Sequence, residues 1–381
     1  MTRASYTLFI LLIANVILSA CQQSAKKPQS LSEETPSTGA ASTPVTASLP
    51  PLKLKSGAPD GATLIAKPLT AAGLNSEARF SKDGTRLLFI SRERSTHRQA
   101  QVYELHLEMM REKRVTFHDG DDHSPVYTPD GKHFLFVSET DEIKEEPLVS
   151  QRLMKVYHPE GYKPNLAESP FPPAEIYRQS LHGRTIERVT RSRGFDGDVD
   201  IDPKGKRLVF SSARIKNAKH LYLLEDKIAR AITRGQVYDR GARFSPDGHS
   251  LVWSRETHDE KGAKAQLMIA TGNRFQKKQI LFSPAKGRSI QPDWHPSGEL
   301  IVFTSNHEGG PYNLYVTDRG GTCVRRLTIA DFDQLHPAFH PDGTQLTFTS
   351  PYEGRTQIYL MDFRPPKDCP SPQTSKPSSG T

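Results

Sequence analysis

A short phrase that ends on a glycine recurs six times in this chain: ARFSKDG to Gly84, PVYTPDG to Gly131, VDIDPKG to Gly205, ARFSPDG to Gly248, PDWHPSG to Gly298 and PAFHPDG to Gly343. Successive glycines are 47, 74, 43, 50 and 45 residues apart. One unit of about 45 residues is therefore repeated, and its second copy carries about 30 residues more. A period of this size built from short strands marks the blade of a β-propeller, in which each sheet buries its faces against its neighbours.

Every copy follows one plan. An extended segment runs into the turn, where Pro fixes φ and Gly takes the left-handed conformation that a tight hairpin needs. A β-rich run follows, such as Leu87-Leu88-Phe89-Ile90 or Ile301-Val302-Phe303, then a third strand such as QVYEL or NLYVT. A fourth ends in a basic-aliphatic-Thr phrase, as in Arg114-Val115-Thr116 and Arg326-Leu327-Thr328. The sixth copy stops after its third strand near Phe363, and an orphan fourth-strand phrase, Ile65 to Thr70, precedes the first copy. The expected fold is all-β: a six-bladed propeller of four-stranded antiparallel blades, closed by that N-terminal strand, which removes two bare sheet edges.

The segments outside the repeats differ in character. Residues 1–21 read as a secretion signal, with Arg3 ahead of an apolar run from Leu8 to Leu18 that is too short to span a bilayer. Leu18-Ser19-Ala20-Cys21 resembles a bacterial lipobox, which implies lipidation of Cys21 and, with Gln22 next, residence at the outer membrane facing the periplasm. Residues 22–60 are rich in Ser, Thr, Pro and Lys and read as a disordered tether, as do residues 366–381 as a tail. The folded part is then 61–365. The formal charge of +8 is scattered over turns, with no aromatic stripe beside it, so nucleic acid is not an expected partner.

The phrase S-P-D-G-x-x-(apolar)-x-F-x-S, followed by Q-I-Y-x-M-D and R-x-L-T, resembles the TolB-type propeller family. Its best local matches are ARFSPDGHSLVWSRE at 242–256 and PAFHPDGTQLTFTSPYEGRTQIYLMD at 337–362. The resemblance covers all six repeats. TolB proteins also carry a small N-terminal α/β domain, whereas here the stretch 22–60 precedes the propeller. The resemblance implies a fold and leaves function open.

Candidate binding residues come from aligning the blades. Nine residues before each turn glycine stand Asn75, Asp122, Asp196, Asp239, Ser289 and Gln334, and two residues nearer the turn stand Glu77, Ser124, Asp198, Gly241, Gln291 and His336. Asp122, Asp196 and Asp239 in one column could gather a hard cation or face a basic partner, or each could cap its own loop. Asp198, His123 and His336 complete the channel-face candidates, and the identity of any metal stays unknown. His-rich, metal-bearing channel faces occur in oligogalacturonate lyases, a family with this propeller style.

The insertion at 141–174 in blade 2 begins acidic and then offers Tyr157, Tyr162 and Phe171, residues suited to contacting a partner. Cys323, in the last turn of blade 5, and Cys369, just past the third strand of blade 6, are either a disulfide or two free thiols. There is no G-x-S-x-G elbow, no phosphate-binding glycine loop and no zinc-type Cys/His spacing. The expected role is non-enzymatic and without a cofactor: a lipid-anchored docking platform for an envelope protein. The alternative is a binding or lyase module for an acidic or sugar polymer, with a metal or polar site on the channel face.

Overall fold

A computed structural model describes residues 43–44, 49–139, 174–366 and 369, apart from 184, 193, 216–217, 260–261 and 353. Among these the regular elements are all strands, arranged as six antiparallel sheets. Blade 1 runs from its inner strand Leu74–Phe80 through Arg86–Arg92 and Gln101–His106 to Arg111–Arg114. Blade 4 repeats this with Tyr238–Phe244, Ser250–Asp259, Gly262–Thr271 and Lys277–Phe282. The inner strands of blades 2, 3, 5 and 6 are Asp122–Tyr127, Asp196–Ile201, Ser289–Trp294 and Leu335–Phe339.

The repeated turn is specified by its side chains. The Ser81 hydroxyl donates to Asp83 (2.6 Å) and accepts the N–H of Arg86 (3.0 Å), while the Gly84 N–H closes onto the Ser81 carbonyl (2.9 Å). Ser245 and Asp247 repeat the arrangement in blade 4. All six turn glycines have positive φ, from 65° to 76°. At Gly343 a second constraint applies, because a Cβ would stand 2.5 Å from the His295 ring, whose Nε2 meets the Gly343 carbonyl at 3.2 Å. His340 meets the Gly84 carbonyl in the same way at 3.2 Å, so these two histidines tie one turn to the next.

The basic-aliphatic-Thr phrase also has a local reason. Its threonine hydroxyl accepts the N–H near the start of the third strand: Thr116 from Val102 (2.8 Å), Thr190 from Ile176 (2.9 Å), Thr233 from Leu221 (2.9 Å) and Thr328 from Leu314 (3.1 Å). Thr70 accepts the Ile358 N–H at 3.1 Å, which makes the N-terminal phrase the fourth strand of blade 6. Strand Thr63–Pro68 pairs antiparallel with Arg355–Asp362, with Ala66 opposite Met361 and Pro68 opposite Tyr359. The ring is closed as the repeats require.

The fold begins earlier than residue 61. Leu52–Ser56, inside the stretch read as a tether, is a strand that pairs with Thr63–Pro68 and with Thr328–Ile329 of blade 5, and Thr43–Pro44 pairs with Arg111 and Glu112. Leu52 and Leu54 are buried while Lys53 and Lys55 are exposed, the alternation of a half-buried strand. The stretch read as a tail also begins late, because Cys369 is buried and bonded to Cys323, with Cα atoms 5.5 Å apart. Leu52, Leu54, Cys323, Leu327, Phe363 and Cys369 share one apolar cluster at the seam of blades 5 and 6.

The remaining core lies between blades. Phe134 and Phe136 of blade 2 pack with Leu88 and Val102 of blade 1, and Trp253 of blade 4 packs with Val209 and Leu221 of blade 3. Each such side chain contributes about 1.5–3 kcal/mol on burial. Burial on both faces explains why the second strands are almost continuously apolar in sequence.

Candidate binding site in the channel

Every inner strand loses register at the same point, between Ser76 and Arg79, His123 and Val126, Gly197 and Asp200, Arg240 and Arg243, Ile290 and Asp293, and Leu335 and Ala338. The bulge residue has positive φ in all six: Glu77 (58°), Ser124 (51°), Asp198 (51°), Gly241 (63°), Gln291 (55°) and His336 (50°). Five of these carry a Cβ, and each costs about 1–2 kcal/mol in that conformation. A bulge frees an N–H from the ladder, and the neighbouring blades satisfy it. The Glu77 carboxylate accepts the Ser124 N–H (2.6 Å), Ser254 Oγ the Gln291 N–H (3.0 Å) and Gln291 Oε1 the His336 N–H (2.9 Å).

Two residues further on, a second ring consists of Arg79, Val126, Asp200, Arg243, Asp293 and Ala338. Its two acids bond across blade boundaries: Asp200 accepts the Phe244 N–H (2.8 Å) and Asp293 the Phe339 N–H (3.0 Å). Asp293 also accepts a bond from Arg79 at 2.8 Å. Burial raises the Asp200 carboxyl above its usual range, against the opposing pull of Arg243.

These rings enclose a cavity of about 160 Å³ whose wall includes Glu77, Arg79, Asp198, Arg240, Arg243, Arg288, Gln291 and His336. Four guanidinium groups thus face two carboxylates. Burial works to raise Asp198, but Lys219, Arg240 and Arg243 hold it below the ordinary carboxylate range. Lys219 lies 3.8 Å from Asp198 and 3.8 Å over the Phe195 ring, and burial brings its ammonium down to about 8. His336 is pushed down by burial, and Arg79, Arg240 and Arg243 act in the same direction. Arg240 is exposed at the mouth, while Arg79 and Arg288 are already paired with Asp293 and Glu256. The site is narrow and braced by bonds between blades.

The structure separates the two candidate columns. Asp198 and His336 lie in the cavity wall. Asp196 and Asp239 are fully buried within their blades instead: Asp196 accepts bonds from Ser212 (2.6 Å) and Arg214 (2.6 Å), and Asp239 from Trp253 (3.0 Å) and Arg255 (2.7 Å). Asp122 is equally buried, and desolvation raises its carboxyl to about 7. These three aspartates do not converge on the channel, because a carboxylate one pleat before the bulge points into its own sheet. His123 stands 3.8 Å from Glu139. Desolvation opposes its charge, but Glu139, Glu77 and Asp121 outweigh it and raise the imidazole. Among the described residues no group of three or more His, Cys, Asp or Glu is placed to hold a metal ion.

Cys21, Tyr157, Tyr162 and Phe171 fall outside the described residues. The arginines of the cavity are functional candidates that the sequence reading passed over. Aligning the column five residues before each turn glycine would have revealed Arg79 and Arg243.

The TolB beta propeller domain family matches residues 261–367. A protein TolB homolog of Chlorobium luteolum (strain DSM 273 / BCRC 81028 / 2530) is 25% identical over 217 residues, covering 55% of this chain and 45% of that protein. The chain therefore matches less than half the length of this relative. Among solved structures, TolB from Acinetobacter baumannii superposes with a TM-score of 0.54 at 19% identity, covering 74% of this chain and 64% of that one. An oligogalacturonate lyase in complex with manganese gives 0.52 at 16% identity, covering 86% of this chain and 99% of that one. At such identities the structural likeness concerns the fold alone. Six repeats and the closing strand make this chain a six-bladed β-propeller, and the match over residues 261–367 makes that part similar to the TolB beta propeller domain.

Proposed function

We propose that this protein is a non-enzymatic docking platform of the cell envelope, tethered to the outer membrane through lipidated Cys21 and facing the periplasm. The observation that supports this reading is the gathering of four guanidinium groups, the exposed Arg240 among them, around a cavity of only about 160 Å³. That volume suits one acidic side chain or a chain terminus better than a run of sugar rings. Its wall is braced by bonds between blades, so an acidic segment of a partner protein would meet donors already in place.

The test is in-cell photo-crosslinking from a reactive amino acid at position 240. A single protein adduct that disappears with Arg288→Glu supports docking. A carbohydrate adduct, or a stoichiometric metal in the purified protein, would instead establish the acidic or sugar polymer alternative.

A further inference from the structure

The residue four before each turn glycine forms another column: Phe80, Tyr127, Ile201, Phe244, Trp294 and Phe339. Each aromatic member reaches back to the preceding blade. Phe80 packs edge-on against His340 at 4.9 Å and Phe339 against His295 at 4.9 Å. Tyr127 donates to Glu104 (2.9 Å), Trp294 to the Arg243 carbonyl (3.1 Å), and Phe244 lies 5.4 Å beneath the Arg207 guanidinium. Only blade 3 has an aliphatic residue in this column.

Where Ile201 replaces the aromatic wedge, the boundary of blades 2 and 3 stays open as a groove of about 700 Å³. Its floor is apolar, with Leu135, Ile201, Leu208 and Leu224, and the last three are only partly buried. Its rim is cationic, because six Lys or Arg face three Asp or Glu, and Arg191, Lys204, Lys206 and Lys227 are exposed. A shape that elsewhere accepts an aromatic ring, ringed by positive charge, selects for a ring flanked by carboxylates.

We propose that this groove docks an acidic peptide segment of a partner protein, seating one aromatic side chain in the position that blade 3 leaves aliphatic. It is a second surface, separate from the channel cavity, and none of its lining residues belongs to that wall.

Titration calorimetry on the full chain tests this with two unlabelled peptides, Glu-Asp-Trp-Glu-Asp and its Trp→Ala form, and with phosphatidylglycerol vesicles. The Trp peptide is expected to bind at least about tenfold more tightly than the Ala form. Ile201→Phe should erase that preference, and Lys204→Glu with Lys206→Glu should weaken both peptides about tenfold. Arg240→Glu at the channel mouth should change neither, which separates this proposal from docking at the channel. If Ile201→Phe does not fold, the exposed lysine pair still decides the matter. Equal binding of the two peptides, or binding insensitive to the lysine pair, would overturn the proposal. Vesicle binding without peptide binding would replace it with a lipid surface.

Discussion

Arg79 of blade 1 bonds Asp293 of blade 5 at 2.8 Å, across the position of blade 6, where the corresponding residue is Ala338. The small residue leaves room for the long one. The pair therefore braces three blades, because the same carboxylate holds the Phe339 N–H of blade 6.

Asp293→Ala should lower stability by about 2–4 kcal/mol, since it strips partners from a mostly buried guanidinium and from a backbone N–H. The double variant with Arg79→Ala should lose less than the sum of the single losses. Urea unfolding of the four proteins checks this, and additive losses would show the two side chains to be uncoupled.

Leu54→Ala should cost about 2–4 kcal/mol, because Leu54 is 2% exposed within the seam cluster. Exposed Lys53→Ala should stay within about 0.5 kcal/mol. Thermal melts distinguish them, and equal effects would place Leu52–Ser56 outside the cooperative fold.

Reduction of the Cys323–Cys369 bond, or Cys369→Ser, should destabilise the protein by about 2–4 kcal/mol. Thiol counting by mass spectrometry, paired with melts in and out of reductant, reads this directly. An unchanged melt after complete reduction would contradict it.

Asp122 provides the pH dependence. Its carboxyl is raised to about 7 by burial, so the folded state holds a proton that the unfolded chain releases near pH 4. The stability from this group is complete below about pH 4 and is lost as pH rises through about 7. Asp122→Asn should flatten stability between pH 4 and 7 and raise it above pH 7. A variant with the parent's pH profile would remove Asp122 as the cause.

Cys21→Ser should release the protein from membranes while leaving the melting temperature unchanged, because the lipid would be remote from the propeller core. Fractionation after a salt wash measures this, and retention of the variant in the membrane pellet would count against the anchor.

The fold was legible because its determinants are local and repeated six times. The turn glycines, the Ser/Thr–Asp pair and the capping threonine act over a few residues, so their spacing shows in the sequence. Leu52–Ser56 carries a period-two alternation as well, but it is short and lies among Ser, Thr and Pro, whose composition masked it. The candidate site was only half legible. Column alignment found Glu77, Asp198 and His336, but could not tell that a bulge turns that column toward the channel while Asp196 and Asp239 face arginines of their own blades. Nor did it weigh the ring of Arg79, Asp200, Arg243 and Asp293, whose pairing spans blades far apart in the chain.

The bond from the Ile358 N–H to Thr70 joins residues 288 positions apart. During synthesis, strand Thr63–Pro68 is made before any blade and finds its blade-6 partner, Arg355–Asp362, only after the last blade has emerged. Until then the growing array has an unpaired edge at each end, and the cavity wall, which needs Arg79 beside Asp293, does not exist. Loop-closure entropy makes this late joining slow. Ring closure is therefore the step at which the molecule acquires its channel cavity, and a truncated chain should lack it however well its blades fold.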